Sequence, residues 1–427
     1  MNPLTFAIVA ILVLALLETP LFTVIAALSI ACLYWVDQDW LALQTILIEM
    51  NRLGAMPVLV ALPLFTFVGC LLTETRSPQR IMHFIEALMG WLPGGLAMAA
   101  LCSCAFFTAL TGASGVTIVA LGSILYPVLR DKGYGDRFSL GLLTTSGSLG
   151  LLFPPSLPVI LYGVVAQVDI GKIFKAALVP GLLLIGSLCI YAFFNQLAAG
   201  RRRRVHSTIA FKRVKAAFLD GIWDWPVIGI ILVGVYGGFF TIAEVSAVVL
   251  IYVVVVECFV LKEVSFFKTL PSIVVESSVL SGAIIVILGV ALGFTGFLVD
   301  QQIPNRILEW LTALSDSKLL FLAGLNLFLL AVGCIMDIFS AIVIVVPIIV
   351  PIALSYGVDP IHLCVIFLVN LEIGYSTPPV GINLFISSLK FEKPVTLLYR
   401  ASLPYLLILL AVLIVITYFP WLSLFLI

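Results

Sequence analysis

The chain has 427 residues, of which 62% are hydrophobic and only 10% charged, and its formal net charge is zero. This composition excludes a water-soluble globular protein, and the zero net charge gives no sign of a nucleic-acid partner. Apolar runs at 225–240, 279–299 and 402–427 can cross a hydrocarbon core of roughly 30 Å, so the sequence predicts an all-α polytopic membrane protein.

The residues that usually carry catalysis or bind metals are scattered. Eight cysteines are spread through apolar segments, where free buried thiols are the ordinary interpretation. The three histidines, His83, His206 and His362, lie outside any HExxH motif. We therefore expect no enzyme activity, no catalytic residue, no cofactor and no metal apart from a transported ion.

The first half of the chain alternates long apolar runs with shorter, interrupted ones. Residues 4–35 contain Glu18-Thr19-Pro20 and form one kinked or two short membrane segments, retained and not removed as a signal peptide. Residues 93–110 and 116–129 are each short for a span, which favours a re-entrant helical hairpin with its tip at Thr111–Gly115. The other predicted elements are a span at 56–72, an amphipathic interfacial helix at 76–91, an interrupted segment up to residue 168 and a span at 173–194.

The second half repeats this plan after a basic loop. A second hairpin is expected, with its tip at Met336–Ser340, followed by an interrupted segment at 362–389. The remaining predicted elements are spans at 225–240, 243–260 and 279–299, an interfacial stretch at about 263–276, and a final span after Pro404.

Two pairs of consecutive prolines, Pro154-Pro155 and Pro378-Pro379, interrupt the two broken segments. Because proline has no N–H, the carbonyls of Gly374 and Tyr375 lose their helical partners. In lipid such carbonyls are tolerated only inside protein or beside a polar cavity, so each pair predicts a discontinuous helix at a functional site. A simple packing kink is the alternative.

The two proline pairs belong to an internal repeat, in which the same motifs recur at one fixed offset along the chain. Gly133 precedes Pro154 by 21 residues, and Gly357 precedes Pro378 by 21. The positive-inside rule places the basic loop at 201–215 in the cytoplasm, and counting crossings puts 17 of the 22 Lys and Arg residues on that side. The basic segments all fall on one side of the membrane only if neither hairpin crosses it. The repeats are then inverted, as in many secondary transporters.

Each hairpin tip is expected to face the break that follows it, Ser146–Leu151 for the first and Asn370–Thr377 for the second, near the membrane midplane. Carbonyl, hydroxyl and carboxylate oxygens suit a hard cation such as Na⁺, and the half-helices that restart after the prolines would favour an anionic substrate. The first predicted cation site comprises Thr111, Gly112, Ser114, Ser146, Ser148 and Gly150. The second comprises Asp337, Ser340, Glu372, Gly374, Ser376 and Thr377. The predicted substrate cavity comprises Pro154, Pro155, Ser156, Pro378, Pro379 and Asn383.

Several of these predicted ligands have an ordinary alternative role. Asp337 and Glu372 lie inside apolar segments, where a carboxylate is costly and often functional, but either could instead cap a helix or make a structural hydrogen bond. Asn383 could face the cavity or bond a neighbouring helix.

The combination of motifs resembles the large membrane subunit of TRAP (tripartite ATP-independent periplasmic) transporters, the DctM-like proteins. The matching residues include 62–69 (LPLFTFVG), 92–95 (LPGG) and, most closely, Asp337 to Phe385 with its TPPVGINLF run. The chain departs from the family at Thr241–Glu244, where Thr-Pro-Thr-Glu is common, and at the first hairpin tip.

The resemblance implies a Na⁺-coupled, binding-protein-dependent importer of an organic acid that works by an elevator mechanism. Substrates of the family include C4-dicarboxylates, sialic acid and other carboxylates or sulfonates. The expected partners are a small four-helix DctQ-like membrane subunit and a DctP-like periplasmic binding protein, with membrane lipid around the chain and no nucleic acid. The expected location is the bacterial inner membrane. A stand-alone ion-coupled organic anion symporter is the alternative.

The predicted division of the chain follows from the repeat and the family. Two transport-domain repeats, 93–168 and 317–390, each contain a hairpin and a broken helix. The remaining parts are scaffold and an arm helix at 1–92, scaffold with the basic loop and second arm at 169–316, and a C-terminal helix at 391–427.

Overall fold

The computed structural model describes residues 21–37, 44–198, 211–314, 317–378 and 380–427, and these ranges contain helices and no strands. The helices of the first half are α1 (Leu21–Asp37), α2 (Gln44–Gly54), α3 (Ala61–Thr73, after a 3₁₀ turn at Pro57–Val60), α4 (Ser77–Met89), α5 (Gly95–Thr111), α6 (Ser114–Asp131), α7 (Asp136–Ser146), α8 (Leu157–Ala166) and α9 (Ile170–Ala198). Those of the second half are α10 (Phe211–Asp220), α11 (Trp225–Gly237), α12 (Ile242–Val255, continued by a π turn at Val256–Val260), α13 (Leu270–Asp300), α14 (Ile303–Leu314), α15 (Lys318–Ile335), α16 (Ile338–Ser355), α17 (Pro360–Gly374), α18 (Ile382–Phe391), α19 (Val395–Tyr418) and α20 (Trp421–Leu424).

The helices are long and apolar enough for a multi-pass membrane protein. In the described ranges six of them can cross a membrane by length and composition, and the number is up to eight if two bent helix pairs each count as one span. The prediction of an all-α polytopic membrane protein is therefore confirmed. The proposed second segment within residues 4–35 falls partly outside the described residues, which begin with α1.

The two helices of each predicted hairpin are joined by only two residues. Hairpin 1 is α5 and α6, joined by Gly112 and Ala113, and hairpin 2 is α15 and α16, joined by Met336 and Asp337. Gly112 ends α5 in the left-handed region at φ 66°, which glycine adopts without a Cβ clash. The helices of hairpin 2 have 18 residues each and are long and apolar enough to cross a membrane. The re-entrant course of the hairpins stays a prediction.

Both predicted helix interruptions are present. Break 1, residues 147–156, separates α7 from α8, and break 2, residues 375–381, separates α17 from α18. The expected start of the second break at Asn370 is wrong, because α17 continues to Gly374. Pro378 causes the interruption because it lacks an N–H, and the first carbonyl that loses its helical partner is therefore that of Gly374. The carbonyls before Gly374 keep their helical partners, so the helix continues up to this residue. Pro379 lies outside the described residues.

Helix ends in the two halves recur at a nearly constant interval along the chain. α5 ends at Thr111 and α15 at Ile335, and these two ends are separated by the same interval as Pro154 and Pro378. The starts of α6 and α16 have the same separation. By this offset, the helix that corresponds to α4 is α14, Ile303–Leu314.

The stretch predicted to be interfacial, at about 263–276, is divided between two elements. Residues 261–269 are a non-helical connection, and the long helix α13 begins at Leu270. Pro271 fits the first turn of a helix, where its missing N–H has no partner to lose, so it starts α13 and does not interrupt it.

The halves of the broken segments pack across the repeat. α8 contacts α16 of hairpin 2, and α18 contacts α6 of hairpin 1. The long helix α9 lies against α5, and the C-terminal helix α19 lies against α7. Hairpins, broken segments, α9 and α19 thus share one buried core. The predicted domain boundaries are not decided by these contacts.

Candidate functional site

Break 1 lies against hairpin 1, as the spacing of the two elements predicted. The hydroxyl of Thr108 in α5 donates to the carbonyl of Gly147 at 2.8 Å and lies 2.7 Å from the hydroxyl of Thr117 in α6. Gly150 approaches α5 so closely that a Cβ there would lie 2.0 Å from the carbonyl oxygen of Ala105. Only glycine fits this contact.

The polar residues of the first predicted cation site all have partners. Ser146 donates to the Leu143 carbonyl at 3.3 Å, as a hydroxyl in a helix end often does, and Ser148 lies 3.4 Å from the carbonyl oxygen of Glu372. Thr111 lies 3.5 Å from the backbone of Ala113. The other two members at the hairpin tip, Gly112 and Ser114, contact Leu157 and Asn383, respectively.

Break 2 lies against hairpin 2 through its backbone. The N–H of Gly381 donates to the carbonyl of Cys334 at 3.1 Å, and the N–H of Ile338 donates to the hydroxyl of Tyr375. A Cβ on Gly374 would lie 2.6 Å from the Cα of Gly333, so the two glycines let α17 and α15 approach closely. Each break therefore packs on the tip region of its own hairpin.

The carbonyls that the proline pair releases are bonded again. The carbonyl of Gly374 accepts from the N–H of Thr377 at 3.0 Å, and that of Tyr375 accepts from the N–H of Asn383 at 3.0 Å. The expectation that they are left without partners is wrong, because the chain turns tightly enough after α17 to supply new donors. Each oxygen keeps a second lone pair that can face a cation.

Free polar atoms concentrate at the end of α17 and in break 2. In the described part of the chain, both carboxyl oxygens of Glu372 and the hydroxyl of Ser376 have no hydrogen-bond partner, and each residue is 1% exposed. The amide oxygen of Asn370 and the amide nitrogen of Asn383 are also buried without a partner. Buried polar groups are almost always bonded in proteins, so this cluster calls for a ligand.

The helix ends give this cluster two electrostatic preferences. Glu372 lies in the last turn of α17, where the helix dipole is negative and favours a cation. Asn383 lies in the first turn of α18, where the positive end of the helix dipole favours an anion. Break 2 thus offers a cation and an anion preference on adjacent helix ends.

Asp337 and Ser340, both predicted as cation ligands, bond to each other. The Asp337 carboxylate accepts from the N–H of Ser340 at 2.9 Å and from its hydroxyl, and so caps α16. Thr377 donates to the carbonyl of Ile373 at 2.8 Å. The capping role of Asp337 is observed, and its role as a ligand stays a prediction.

The residues of the predicted substrate cavity are placed differently at the two breaks. Pro154, Pro155 and Ser156 are buried, and the hydroxyl of Ser156 donates to the carbonyl of Leu151. Pro378 is exposed, and its carbonyl accepts from the thiol of Cys334 at 3.6 Å.

The structure joins residues that the sequence assigned to different sites. The hydroxyl of Ser114, at the tip of hairpin 1, donates to the amide oxygen of Asn383 at 2.8 Å. The polar residues near the breaks that sequence reasoning did not name are Thr108, Thr117, Thr144, Ser387 and Asn326. Thr144 bonds Ser387 at 2.9 Å, and Asn326 accepts from Asn370 at 2.7 Å. A polar side chain in an apolar helix was the available signal, but it does not reveal which distant residue the side chain bonds.

The capping of α12 accounts for one departure from the family pattern. The Thr241 hydroxyl accepts from the N–H of Glu244, and the Glu244 carboxylate accepts from the N–H of Thr241. This capping box needs only Thr at the first position and Glu at the fourth, so the two intervening residues can vary.

Comparison with known proteins decides the family. A family profile described as the DctM component of tripartite ATP-independent periplasmic transporters matches residues 8–422. The chain belongs to this DctM family. It is therefore a TRAP transporter large permease, and its resemblance to this family is confirmed.

Several permeases are similar to this DctM chain over most of its length. The C4-dicarboxylate TRAP transporter large permease DctM of Pseudomonas aeruginosa is 37% identical over 86% of this chain and 85% of its own length. The sialic acid large permease SiaM of Vibrio cholerae is 31% identical over 86% of both chains. The isethionate permease DctMQ of Oleidesulfovibrio alaskensis is 34% identical, and the match covers 88% of this chain and 59% of that protein.

A solved structure supports the fold. The crystal structure of the YdaH transporter of Alcanivorax borkumensis is similar at a TM-score of 0.66, with 13% sequence identity, and the match covers 90% of this chain and 89% of YdaH. At this identity the similarity shows the fold alone. The DctM chain therefore has a fold already seen in a membrane transporter.

Proposed function

We propose that this DctM chain is the large transmembrane subunit of a Na⁺-coupled, binding-protein-dependent secondary transporter that imports an organic acid. The observation that carries the proposal is its membership of the DctM family over residues 8–422. The related permeases are named for C4-dicarboxylates, sialic acid, isethionate and ectoine. Most of these solutes carry a carboxylate or sulfonate, which agrees with the anion preference of the α18 end.

Na⁺ is the proposed coupling ion, and break 2 is its principal site. The supporting observation is the buried, partnerless carboxylate of Glu372 beside the free hydroxyl of Ser376 at a negative helix end. An ionised carboxylate without a partner is very unfavourable in an apolar interior, and a bound cation removes that cost. Break 1 with Ser146 and Ser148 is the proposed second site.

We further propose inverted repeats and an elevator movement. The recurrence of helix ends at a nearly constant interval supports the repeat, and the cross-repeat packing of α8 on α16 and of α18 on α6 supports one moving body. The predicted division placed α9 in the scaffold at 169–316, but α9 packs on α5 and α19 packs on α7, so we propose that both move with the hairpins. The proposed fixed scaffold consists of α1–α3 and α11–α13, with α4 and α14 as connecting arms.

The proposed partners are a small DctQ-like membrane subunit and a periplasmic DctP-like binding protein, and the proposed location is the bacterial inner membrane. Family membership supports both, since a tripartite transporter needs two further components. The binding protein would deliver the acid to the membrane subunits.

Uptake by proteoliposomes tests the proposal. The DctM chain is reconstituted with the small subunit, and accumulation of radiolabelled succinate, sialic acid or isethionate is followed with and without the binding protein and an inward Na⁺ gradient. Accumulation of at least one acid is expected only when both are present. Uptake that needs no binding protein would establish the stand-alone symporter, and uptake that is unchanged when K⁺ replaces Na⁺ would exclude Na⁺ coupling.

A further inference from the structure

The short amphipathic helix α10 has no part in the proposed transport cycle. It follows the most basic stretch of the chain: residues 201–215 contain seven Lys and Arg residues and no Asp or Glu. The helix pair Lys212–Asp220 and Trp225–Gly237 is bent by 79°, so α10 runs nearly perpendicular to the apolar helix α11. A helix at this angle to a membrane segment lies along the membrane surface.

The inner face of α10 is fixed by aromatic packing. Phe218 stacks on Trp225 at the start of α11, with ring centroids 5.4 Å apart and the planes 9° apart. Phe84 of the arm helix α4 lies 4.5 Å from the Trp225 ring in an edge-on arrangement. The helix is therefore held at a defined position between α4 and α11.

The outer face of α10 is basic and partly apolar. Lys212 and Lys215 are exposed, and Leu219, on the same face one turn on, is 50% exposed. Near the end of the helix, the side chain of Trp223 is 42% exposed. Cations beside exposed apolar and aromatic groups are typical of helices that rest in the headgroup region of a bilayer.

A second segment extends this surface. Residues 261–269, between α12 and α13, expose Lys262, Lys268 and the 87% exposed ring of Phe267. Arg80 of α4 joins the two segments, because its guanidinium bonds Asp224 after α10 at 2.7 Å and Glu263 of the second segment at 2.6 Å. Both segments therefore lie at the same end of the helices.

Two lysines of this surface form no ion pair among the described residues. Arg80 is paired with Asp224, Glu257 and Glu263 and is buried. In contrast, the ion pairs of the described residues include neither Lys212 nor Lys215. Positive groups that are fixed at the membrane surface without acidic partners are complementary to phosphate headgroups.

We propose that α10 and residues 261–269, together the basic belt, bind anionic phospholipid headgroups. The phosphates contact the exposed lysines of the belt, while Trp223 and Phe267 enter the boundary between headgroups and acyl chains. Because Phe84 of α4 packs on the inner side of α10, bound lipid also fixes the arm helix relative to the bilayer.

Tryptophan quenching in vesicles tests this proposal with the full-length chain. The protein is reconstituted in phosphatidylcholine with equal fractions of dibrominated phosphatidylglycerol or dibrominated phosphatidylcholine, and the signal of Trp223 is the difference between wild type and Trp223→Phe. We expect the brominated anionic lipid to quench Trp223 about twofold more strongly, because the belt concentrates it. The double variant Lys212→Gln/Lys215→Gln should lose this preference.

Two further variants make the result specific. Lys262→Gln/Lys268→Gln should also reduce the preference. The matched control Lys172→Gln/Lys175→Gln removes two cations near the start of α9 and should leave the preference for the brominated anionic lipid unchanged. Equal quenching by the two lipids in wild type, or a preference that survives Lys212→Gln/Lys215→Gln, would overturn the proposal. Loss of the preference on adding the small subunit would show that a protein covers the belt, and would overturn it as well.

Discussion

Break 1 and break 2 share one backbone plan but differ in their polar side chains. Both follow a buried helix, and both restart as a ten-residue helix. A glycine approaches the preceding hairpin closely in each case, Gly150 within break 1 and Gly374 just before break 2. At break 1 the hydroxyls of Ser146 and Ser148 are bonded. At break 2 the carboxylate of Glu372 and the hydroxyl of Ser376 are buried without partners in the described part of the chain.

In the proposed repeat, the two halves of the chain share the backbone geometry of the breaks and differ in their polar side chains. Ser148 and Glu372 are separated by the same interval as Pro154 and Pro378, so they occupy corresponding positions. A neutral hydroxyl stands in one half and an acid in the other. Break 2 is therefore the better candidate for strong cation binding. Break 1, whose hydroxyls are already bonded, is the more rigid of the two and offers weaker cation ligands.

The largest effect is expected from filling the tighter of the two glycine contacts. Gly150→Ala places a methyl group about 2.0 Å from a backbone carbonyl that no side-chain rotation can move. We expect it to destabilise the protein by about 3 kcal/mol, the upper part of the range for overpacking, and to abolish uptake. The apparent melting temperature of the purified protein measures this change.

The corresponding variant in the other half is the matched control. A methyl group at Gly374 would lie 2.6 Å from the Gly333 backbone, a less severe overlap, so Gly374→Ala should lower the melting temperature less. If Gly374→Ala lowers the melting temperature more than Gly150→Ala does, break 1 is not the more rigid of the two breaks.

Removing the charge at break 2 should give the next largest effect. Glu372→Gln keeps the shape of the side chain but removes the anion, and the loss of a charged contact is expected to cost about 2 kcal/mol. The half-saturating Na⁺ concentration for uptake should rise about thirtyfold. Ser148→Ala, at the corresponding position in break 1, should change it much less. An unchanged Na⁺ dependence in Glu372→Gln would remove this residue from the cation site.

The amide of Asn383 should affect the substrate more than the ion. Its nitrogen is a buried donor without a partner in the described residues, next to the anion-favouring end of α18. Asn383→Ala should raise the half-saturating concentration of the transported acid about tenfold, which corresponds to about 1.4 kcal/mol. Ser114→Ala removes only the bond that orients the amide and should have a smaller effect. A change confined to the Na⁺ dependence would place Asn383 at the ion and not at the substrate.

The smallest effect is expected within the Ser376-Thr377 pair. The hydroxyl of Ser376 is free, whereas Thr377 donates to the carbonyl of Ile373. Ser376→Ala should therefore weaken the apparent Na⁺ affinity about threefold, through loss of one neutral ligand. Thr377→Ala should leave it nearly unchanged. Equal effects of the two changes would show that Thr377 turns toward the ion during transport.

Much of the fold could be predicted because local signals determine it. Apolar length gave the membrane segments, and the spacing of Gly133, Pro154, Gly357 and Pro378 indicated the repeat before any coordinates. The interfacial stretch expected at about 263–276 includes the first turns of α13, because the sequence does not show that this helix begins as early as Leu270. The start of the second break was predicted about one turn too early, because α17 stays helical up to Gly374.

The chemistry of the site was only partly accessible from the sequence. The hydroxyls, glycines and acids near the breaks could be named, since polar groups in apolar helices are rare. Which of them are already bonded could not, because the deciding contacts join distant parts of the chain. Ser114 and Asn383 are 269 residues apart, and Thr144 and Ser387 are 243 apart. Spacing along one helix carries no information about such pairs.

The hydrogen bond from the Ser148 hydroxyl to the carbonyl of Glu372 joins the two breaks directly. In the proposed mechanism, a cation that draws on the oxygen atoms of Glu372 also changes the acceptor that Ser148 uses. Thermodynamic reciprocity then requires that occupancy at either break alter the affinity of the other by the same factor. In the proposed mechanism the affinities of the two sites for their ions are therefore coupled through this one hydrogen bond.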